Sequence, residues 1–195
     1  MASITKGEMT RARVLKTASS LVNSKGFSNT SINDIIQATG VKKGSLYFHF
    51  PSKEDLSLAV LREAKSDFFR FLSNSLQGKR PLEKLSNFFD AVLEKHKKTN
   101  FVGGCIFGNT ALEMSDTNPH FTNLINEVFR EWTAIITEIL IEAREGGDLK
   151  PEIPPALLAK QIVASIEGGI MMARVSKDEE DLQNCLKSLR ILLGI

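Results

Sequence analysis

The chain has 195 residues, and its hydrophobic content of 42% is sufficient for a buried core and unlike that of a disordered protein. No apolar run approaches the ~18 residues needed to span a membrane, and residues 1–25 lack the apolar core of a signal peptide. We therefore expect a cytoplasmic protein with no membrane partner.

The formal net charge of +2 conceals an uneven distribution along the chain. Residues 1–53 carry eight Lys or Arg and two Asp or Glu, a net charge of +6. The remaining residues carry 17 basic and 21 acidic side chains, a net charge of −4. This asymmetry indicates that the N-terminal part contacts a polyanion. A solvated basic surface without a partner is the alternative interpretation.

The cysteines and histidines do not form a metal-binding pattern. Cys105 and Cys185 lack the short spacing of zinc ligands, and His49, His96 and His120 are scattered along the chain. They also suggest no nucleophile–base pair. The sequence therefore predicts no metal, no cofactor and no catalytic residue, and a helical enzyme remains the less favoured alternative.

Three short helices are predicted at the N-terminus. Thr10 can cap the first helix, which ends at Lys25-Gly26, a basic residue followed by glycine. A second helix is expected over residues 31–39, and the Gly40 turn separates it from a third helix at about 42–48. Two short helices joined by a glycine turn are typical of a helix-turn-helix, whose second helix enters the DNA major groove.

The rest of the chain is also predicted to be helical. Apolar residues recur at three- and four-residue steps, most regularly over residues 119–145, and no alternating strand pattern competes with them. Glycine and proline pairs separate the segments. The six further helices are expected at about 53–76, 81–98, 103–114, 119–145, 154–175 and 178–192. The predicted fold is therefore all-α, with about nine helices.

Five short segments within residues 10–56 form an ordered pattern: Gly26-Phe27, Thr30-Ser31-Ile32-Asn33-Asp34-Ile35, Ala38-Thr39-Gly40-Val41, Lys43-Gly44-Ser45-Leu46-Tyr47-Phe48-His49-Phe50 and Lys53-Glu54-Asp55-Leu56. In their order and spacing the chain resembles the tetracycline-repressor (TetR) family of bacterial transcription regulators. The resemblance implies a helix-turn-helix DNA-binding domain over residues 1–52 and a ligand-binding and dimerisation domain over residues 53–195. It also implies a homodimer formed by the last two helices of each subunit, although their apolar stripes could instead serve only the monomer core.

DNA contact is predicted for residues around the third helix. Lys43, Gly44 and Ser45 stand at its front, where lysine can donate to guanine O6 and N7 and glycine allows close approach to the groove. Lys42 departs from the family pattern, in which serine often caps this helix, and its cation lies near the positive end of the helix dipole. Phosphate contacts are predicted for Thr30, Ser31, Lys42, Tyr47, His49 and Lys53. Tyr47 and His49 could alternatively be ordinary boundary residues.

The resemblance also implies a small-molecule effector whose pocket lies among the middle helices. The candidate lining residues are Phe88, Cys105, Phe107, Asn109, Glu113, Phe129, Trp132 and Met171. Each aromatic side chain could equally belong to the core. Asn109 and Glu113 are one turn apart on an otherwise apolar helix. Because burial of unpaired polar groups is costly, we expect a pocket or a polar network to hold them.

Cys105 follows Gly103-Gly104 near the start of a predicted helix, a position that lowers a thiol pKa. Segments like residues 104–109 occur in a TetR subgroup, some of whose members sense electrophiles or oxidants through this cysteine. A small buried hydrophobic residue is the alternative. The predicted function is a repressor released from a palindromic operator by a small molecule or by modification of Cys105. An architectural protein that binds DNA without sequence preference is the competing hypothesis.

Overall fold

The computed structural model describes residues 5–149 and 153–195, and within these ranges the chain forms nine α-helices and no strand. The predicted all-α fold is confirmed. In chain order the helices are α1 (Lys6–Lys25), α2 (Ile32–Thr39), α3 (Lys43–His49), α4 (Lys53–Ser75), α5 (Pro81–Lys97), α6 (Ile106–Met114), α7 (Pro119–Glu145), α8 (Pro155–Ser176) and α9 (Glu179–Leu193).

Helix α1 begins earlier than the sequence suggested. Its N-cap is Thr5, whose hydroxyl accepts from the Glu8 amide at 3.2 Å while the Glu8 carboxylate accepts from the Thr5 amide at 2.7 Å. This reciprocal capping box satisfies two donors at the helix start. The prediction that Thr10 caps the helix is wrong, because Thr10 lies inside it and donates its hydroxyl to the Lys6 carbonyl.

The three N-terminal helices pack around a small core that α4 completes. Ser31 caps α2 in a capping box with Asp34, and Gly40 ends it in the left-handed region at φ 65°. The core consists of Val14, Leu15, Ala18, Ile35, Val41, Leu46, Phe50, Leu56 and Val60, with partly buried neighbours. Since Leu56 and Val60 belong to α4, the N-terminal half of this long helix connects the helix-turn-helix to the body.

The body is built around α8, which packs between α7 and α9. Among the described residues, α8 is the one helix whose length and mean hydropathy of 1.3 would suffice to cross a membrane. Its inward face, which includes Leu158, Ile162 and Ile166, is fully buried in the main hydrophobic core, as expected for a core helix. Its outward face leaves Leu157 and Val175 exposed.

Candidate DNA-binding surface and effector cavity

Helix α3 is anchored by one face and open on the other. Leu46 is fully buried, and Phe50, which follows the helix, is 2% exposed. The segment 42–45 is exposed throughout, and Tyr47 is also exposed. The predicted front of the recognition helix is therefore accessible, while two apolar residues hold the helix against α1 and α4.

Gly44 has no steric reason within the subunit to be glycine. A Cβ atom at this position would meet no atom within 4 Å, and the backbone φ is not positive. An exposed helical glycine lowers helix stability, and no contact within the subunit requires glycine here. Close approach of a nucleic-acid groove would be an advantage of glycine at this position.

The phosphate-contact prediction is wrong for Thr30 in this conformation. Thr30 is 1% exposed, and its hydroxyl donates to the Gly26 carbonyl at 2.7 Å. Its amide donates to the Phe27 carbonyl at 3.4 Å. Both donors are thus used inside the subunit, whereas the neighbouring Ser31 is exposed and occupies the N-cap of α2.

The other predicted phosphate contacts flank α3. Lys42 is its N-cap residue and makes no side-chain capping bond, as its departure from the family pattern predicted. His49 is partly buried between the Phe48 and Phe50 rings. Lys53 stands at the start of α4, and its ammonium lies 3.4 Å from the Ser28 carbonyl. Phe48, to which the sequence assigned no role, is 85% exposed beside these groups.

A cavity of about 220 Å³ lies in the body where α1, α4, α5, α6, α7 and α8 meet. Four of the predicted effector residues line it: Phe88, Cys105, Phe107 and Trp132. The aromatic side chains form an edge-to-face cluster, with the Trp132 centroid 5.0 Å from that of Phe68 and 6.2 Å from that of Phe88.

The other four predicted effector residues do not line this cavity. Phe129 stacks behind Trp132 with a centroid distance of 6.3 Å, and Met171 is 54% exposed. Asn109 accepts from Arg174 Nη1 at 2.6 Å and donates to the Gly103 carbonyl at 2.6 Å. These three residues border an outer groove of about 530 Å³ between α6 and α8. The polar network expected at Asn109 is therefore present, on the outer side of the helix.

Glu113 faces the DNA-binding domain, not a pocket. Its carboxylate accepts from the backbone amides of Phe27 at 3.0 Å and Ser28 at 2.5 Å, in the loop between α1 and α2. Desolvation is the largest single influence on the pKa of Glu113 and acts to raise it. The hydrogen bonds together outweigh desolvation, so the pKa of Glu113 is lowered. A Cβ at Gly26 would lie 2.9 Å from Glu113 Oε2, so glycine makes room for the carboxylate.

The prediction of a lowered Cys105 pKa is wrong. Cys105 is the N-cap residue of α6, but its thiol points inward toward the Glu167 carboxyl. Burial, followed by the nearby Glu167 charge, raises the pKa of the Cys105 thiol well above its usual value. These effects outweigh the α6 amides that favour the thiolate. Cys105 therefore resembles the alternative interpretation, a small hydrophobic residue, more than a reactive thiol.

The sequence analysis missed several polar residues of the cavity, namely Asn23, Asp67, Lys95, His96 and Glu167. Burial raises the pKa of Glu167 to about 7, and burial followed by the nearby Lys95 charge lowers the pKa of His96 to about 4. Lys95 also has a lowered pKa because of desolvation, and its ammonium lies 4.4 Å from the Phe71 centroid. Glu167 could have been found in the sequence, since it is the one acidic residue of α8.

The described residues contain no group of three or more His, Cys, Asp or Glu that could hold a metal ion.

The two domains match known families separately. Residues 14–60 match the family model of bacterial regulatory proteins of the tetR family. Residues 81–189, more than half of the chain, match the model of the tetracyclin repressor-like C-terminal domain. The chain belongs to the TetR family.

Individual relatives support this assignment over nearly the whole chain. The transcriptional repressor DhaR of Mycobacterium sp. (strain GP1) is 32% identical over 164 residues, which cover 83% of this chain and 81% of DhaR. A TetR transcriptional regulator from Chloroflexus aurantiacus J-10-FL has a similar structure, with a TM-score of 0.90, 34% identity and coverage of 97% and 96% of the two chains. The reduced form of NemR from E. coli shares the fold, with a TM-score of 0.87, 23% identity and coverage of 95% and 97%.

Membership of this TetR family makes the protein a ligand-responsive, DNA-binding transcriptional regulator. DhaR and NemR are both named as repressors. The predicted subgroup with Gly104-Cys105 at the start of α6 remains a prediction, because these matches do not separate it from the family as a whole.

Proposed function

We propose that two copies of this TetR-family chain form a cytoplasmic repressor that binds a palindromic operator and leaves it when a small molecule occupies the 220 Å³ cavity. The observation that carries the DNA-binding part is α3 itself, where residues 42–45 are exposed above the buried anchor Leu46. Lys43 is assigned to base edges, and Lys42, Tyr47, His49 and Lys53 to phosphates.

The dimer is supported by the outward face of α8. Leu157, Ala164, Gly168, Met171 and Val175 recur at spacings of three, four or seven residues on this face. Leu157, Met171 and Val175 are 59%, 54% and 82% exposed, a pattern that is unfavourable unless another surface covers it. A two-fold dimer through this face would present two α3 helices to half-sites about 34–36 Å apart, or a multiple of that distance.

The cavity is proposed as the effector site because helices of both domains line it. Ser19 and Asn23 belong to α1, while Phe88, Trp132 and Glu167 belong to the body. A molecule bound there would contact both units at once, and binding to one arrangement more tightly than the other would shift their equilibrium. Small-molecule binding is preferred to thiol modification as the signal, because Cys105 is partly buried and the pKa of its thiol is raised.

Selection of operator fragments from a random DNA library tests the DNA-binding proposal. We expect the protein to select a palindrome, and Lys43→Gln to weaken binding to it by about tenfold, since a lysine–guanine contact contributes roughly 1–3 kcal/mol. The matched control is Lys79→Gln, which alters an exposed lysine in the turn before α5 and should leave operator affinity unchanged.

Uniform binding of all fragments, with a steep salt dependence and no selected sequence, would contradict the repressor proposal and favour an architectural protein. Equal losses in the Lys43 and Lys79 variants would show that overall charge, and not the position of Lys43 on α3, determines affinity.

A further inference from the structure

Three buried polar atoms without hydrogen-bond partners belong to residues around the same cavity. Among the described residues, the buried side-chain atoms without partners are Asn23 Oδ1, Trp132 Nε1 and Glu167 Oε1. All three residues line the 220 Å³ cavity. Leaving such atoms unsatisfied destabilises a fold, and their concentration at one cavity indicates that a bound molecule supplies the missing partners.

One of the two acceptors lies beside the segment before α6, and the other lies beside the first turn of α6. A Cβ at Gly103 would overlap Asn23 Nδ2, and a Cβ at Gly108 would overlap Glu167 Oε2. Glycine at both positions therefore leaves room for the two polar side chains. The unpaired donor, Trp132 Nε1, belongs instead to the aromatic wall formed with Phe68 and Phe88.

The size and charge of the cavity restrict what it can hold. A volume of about 220 Å³ is smaller than the roughly 300–1,000 Å³ of sites for drug-sized ligands, so the ligand should have about ten non-hydrogen atoms. Lys95 opposes a cationic ligand, and Asp67 and Glu167 oppose an anionic one. The edge-to-face aromatic cluster suits a planar ring.

We propose that the effector is a small, neutral aromatic molecule that donates a hydrogen bond to Asn23 or Glu167 and accepts one from Trp132. This inference depends on the proposed function, because it takes the cavity as the effector site. A bond to Asn23 would attach the effector directly to α1, a helix of the DNA-binding domain. The same molecule would thus satisfy the unpaired atoms and contact the domain that must move.

Three probes of equal size measure the contribution of each hydrogen bond to affinity. 4-Hydroxyacetophenone has both a donor and an acceptor, 4-methylacetophenone lacks the hydroxyl donor, and 4-isopropylphenol lacks the carbonyl acceptor. Isothermal titration of the full-length protein should show 4-hydroxyacetophenone binding at least about tenfold more tightly than either analogue, because each analogue leaves a buried protein atom unpaired.

Variants assign each bond to a residue. Trp132→Phe keeps an aromatic, although smaller, ring and removes the donor, so it should abolish the preference for 4-hydroxyacetophenone over 4-isopropylphenol. Either Asn23→Leu or Glu167→Met should abolish the preference over 4-methylacetophenone. Thermal melting establishes that each variant folds. For a variant that does not fold, the three affinities of the unaltered protein still decide the proposal.

Equal affinities for the three probes, or no binding of any of them, would overturn the ligand class. A preference that persists in Trp132→Phe and in both acceptor variants would also overturn it, because the probes would then bind elsewhere. Operator selection by the same protein without any probe tests the proposed function separately, so the two failures are distinguishable.

Discussion

Two titratable residues that line the cavity make the stability of the fold depend on pH in opposite directions. Glu167 has a pKa of about 7 because burial disfavours its carboxylate, and His96 has a pKa of about 4 because burial disfavours its imidazolium. Between pH 4 and 6.5 the buried histidine makes the fold less stable as pH falls, since the unfolded chain binds the proton more tightly. The raised Glu167 pKa acts in the opposite sense, so the effect of one residue is measurable only against a matched variant.

Replacing Glu167 with Gln should stabilise the protein at alkaline pH. Between its ordinary pKa of 4.5 and the folded value of about 7, the folded protein retains a proton that the unfolded chain releases, so the unaltered protein loses stability as pH rises. Glu167→Gln removes this loss. Its free energy of unfolding should exceed that of the unaltered protein by roughly 2–3 kcal/mol at pH 8 and approach it at pH 4.5.

Urea unfolding at the two pH values, at one fixed protein concentration, measures this difference. Glu138→Gln on the exposed face of α7 is the control and should leave the pH dependence unchanged. An advantage of Glu167→Gln that is equal at both pH values would show that folding does not raise the pKa of Glu167.

Helix α6 connects the cavity to the DNA-binding domain. Cys105 and Gly104, before its first turn, line the cavity, and Glu113, near its other end, binds the loop between α1 and α2. The helix has nine residues and is therefore only about 13 Å long. Because a short helix moves as a rigid unit, displacement of its first turn by a bound molecule would reach the loop directly.

Replacing Glu113 with Ala should loosen the contact between α6 and the DNA-binding domain. The amides of Phe27 and Ser28 would lose their charged acceptor, so their hydrogen exchange should accelerate by about tenfold, and the free energy of unfolding should fall by about 1–2 kcal/mol. Hydrogen exchange of these two amides measures the effect. Glu113→Gln, which keeps one acceptor oxygen, should be intermediate, and unchanged exchange in Glu113→Ala would contradict the role of α6.

The elements were more predictable than the partners of their side chains. Proline, glycine and capping residues mark helix ends locally, and most predicted ends agree with the structure within two residues. Helix α1 differs because Thr5 and Glu8 form a capping box before Thr10. Helix α6 begins at Ile106, three residues after its predicted start, because Gly103 and Gly104 have positive φ. The partners of Glu113 lie 85 and 86 residues away, so sequence periodicity predicted a polar network but not its members. The burial of Asn23 depends likewise on distant segments.

At the scale of the whole molecule, α8 bears on both folding and assembly. Its buried apolar residues belong to the core of the subunit, and its exposed apolar residues form the proposed dimer contact. The inward face was predictable as core from helical periodicity alone. The sequence could not show which apolar residues the subunit itself covers, because that depends on how α7 and α9 pack against α8. Met171 illustrates this limit: it was predicted to line the pocket, yet it lies on the open face.

Val175 provides the sharpest test of this open face, because it is 82% exposed and its replacement should leave the subunit core intact. Val175→Glu would place a charge in a proposed apolar contact, and two-fold symmetry would place it there twice. Light scattering should then give a mass of 21.6 kDa, against twice that value for the unaltered protein. Operator affinity should fall by at least about a hundredfold, because a single α3 retains only half of the contacts. Val175→Ile should remain dimeric, and a dimeric Val175→Glu with full operator affinity would exclude α8 from the interface.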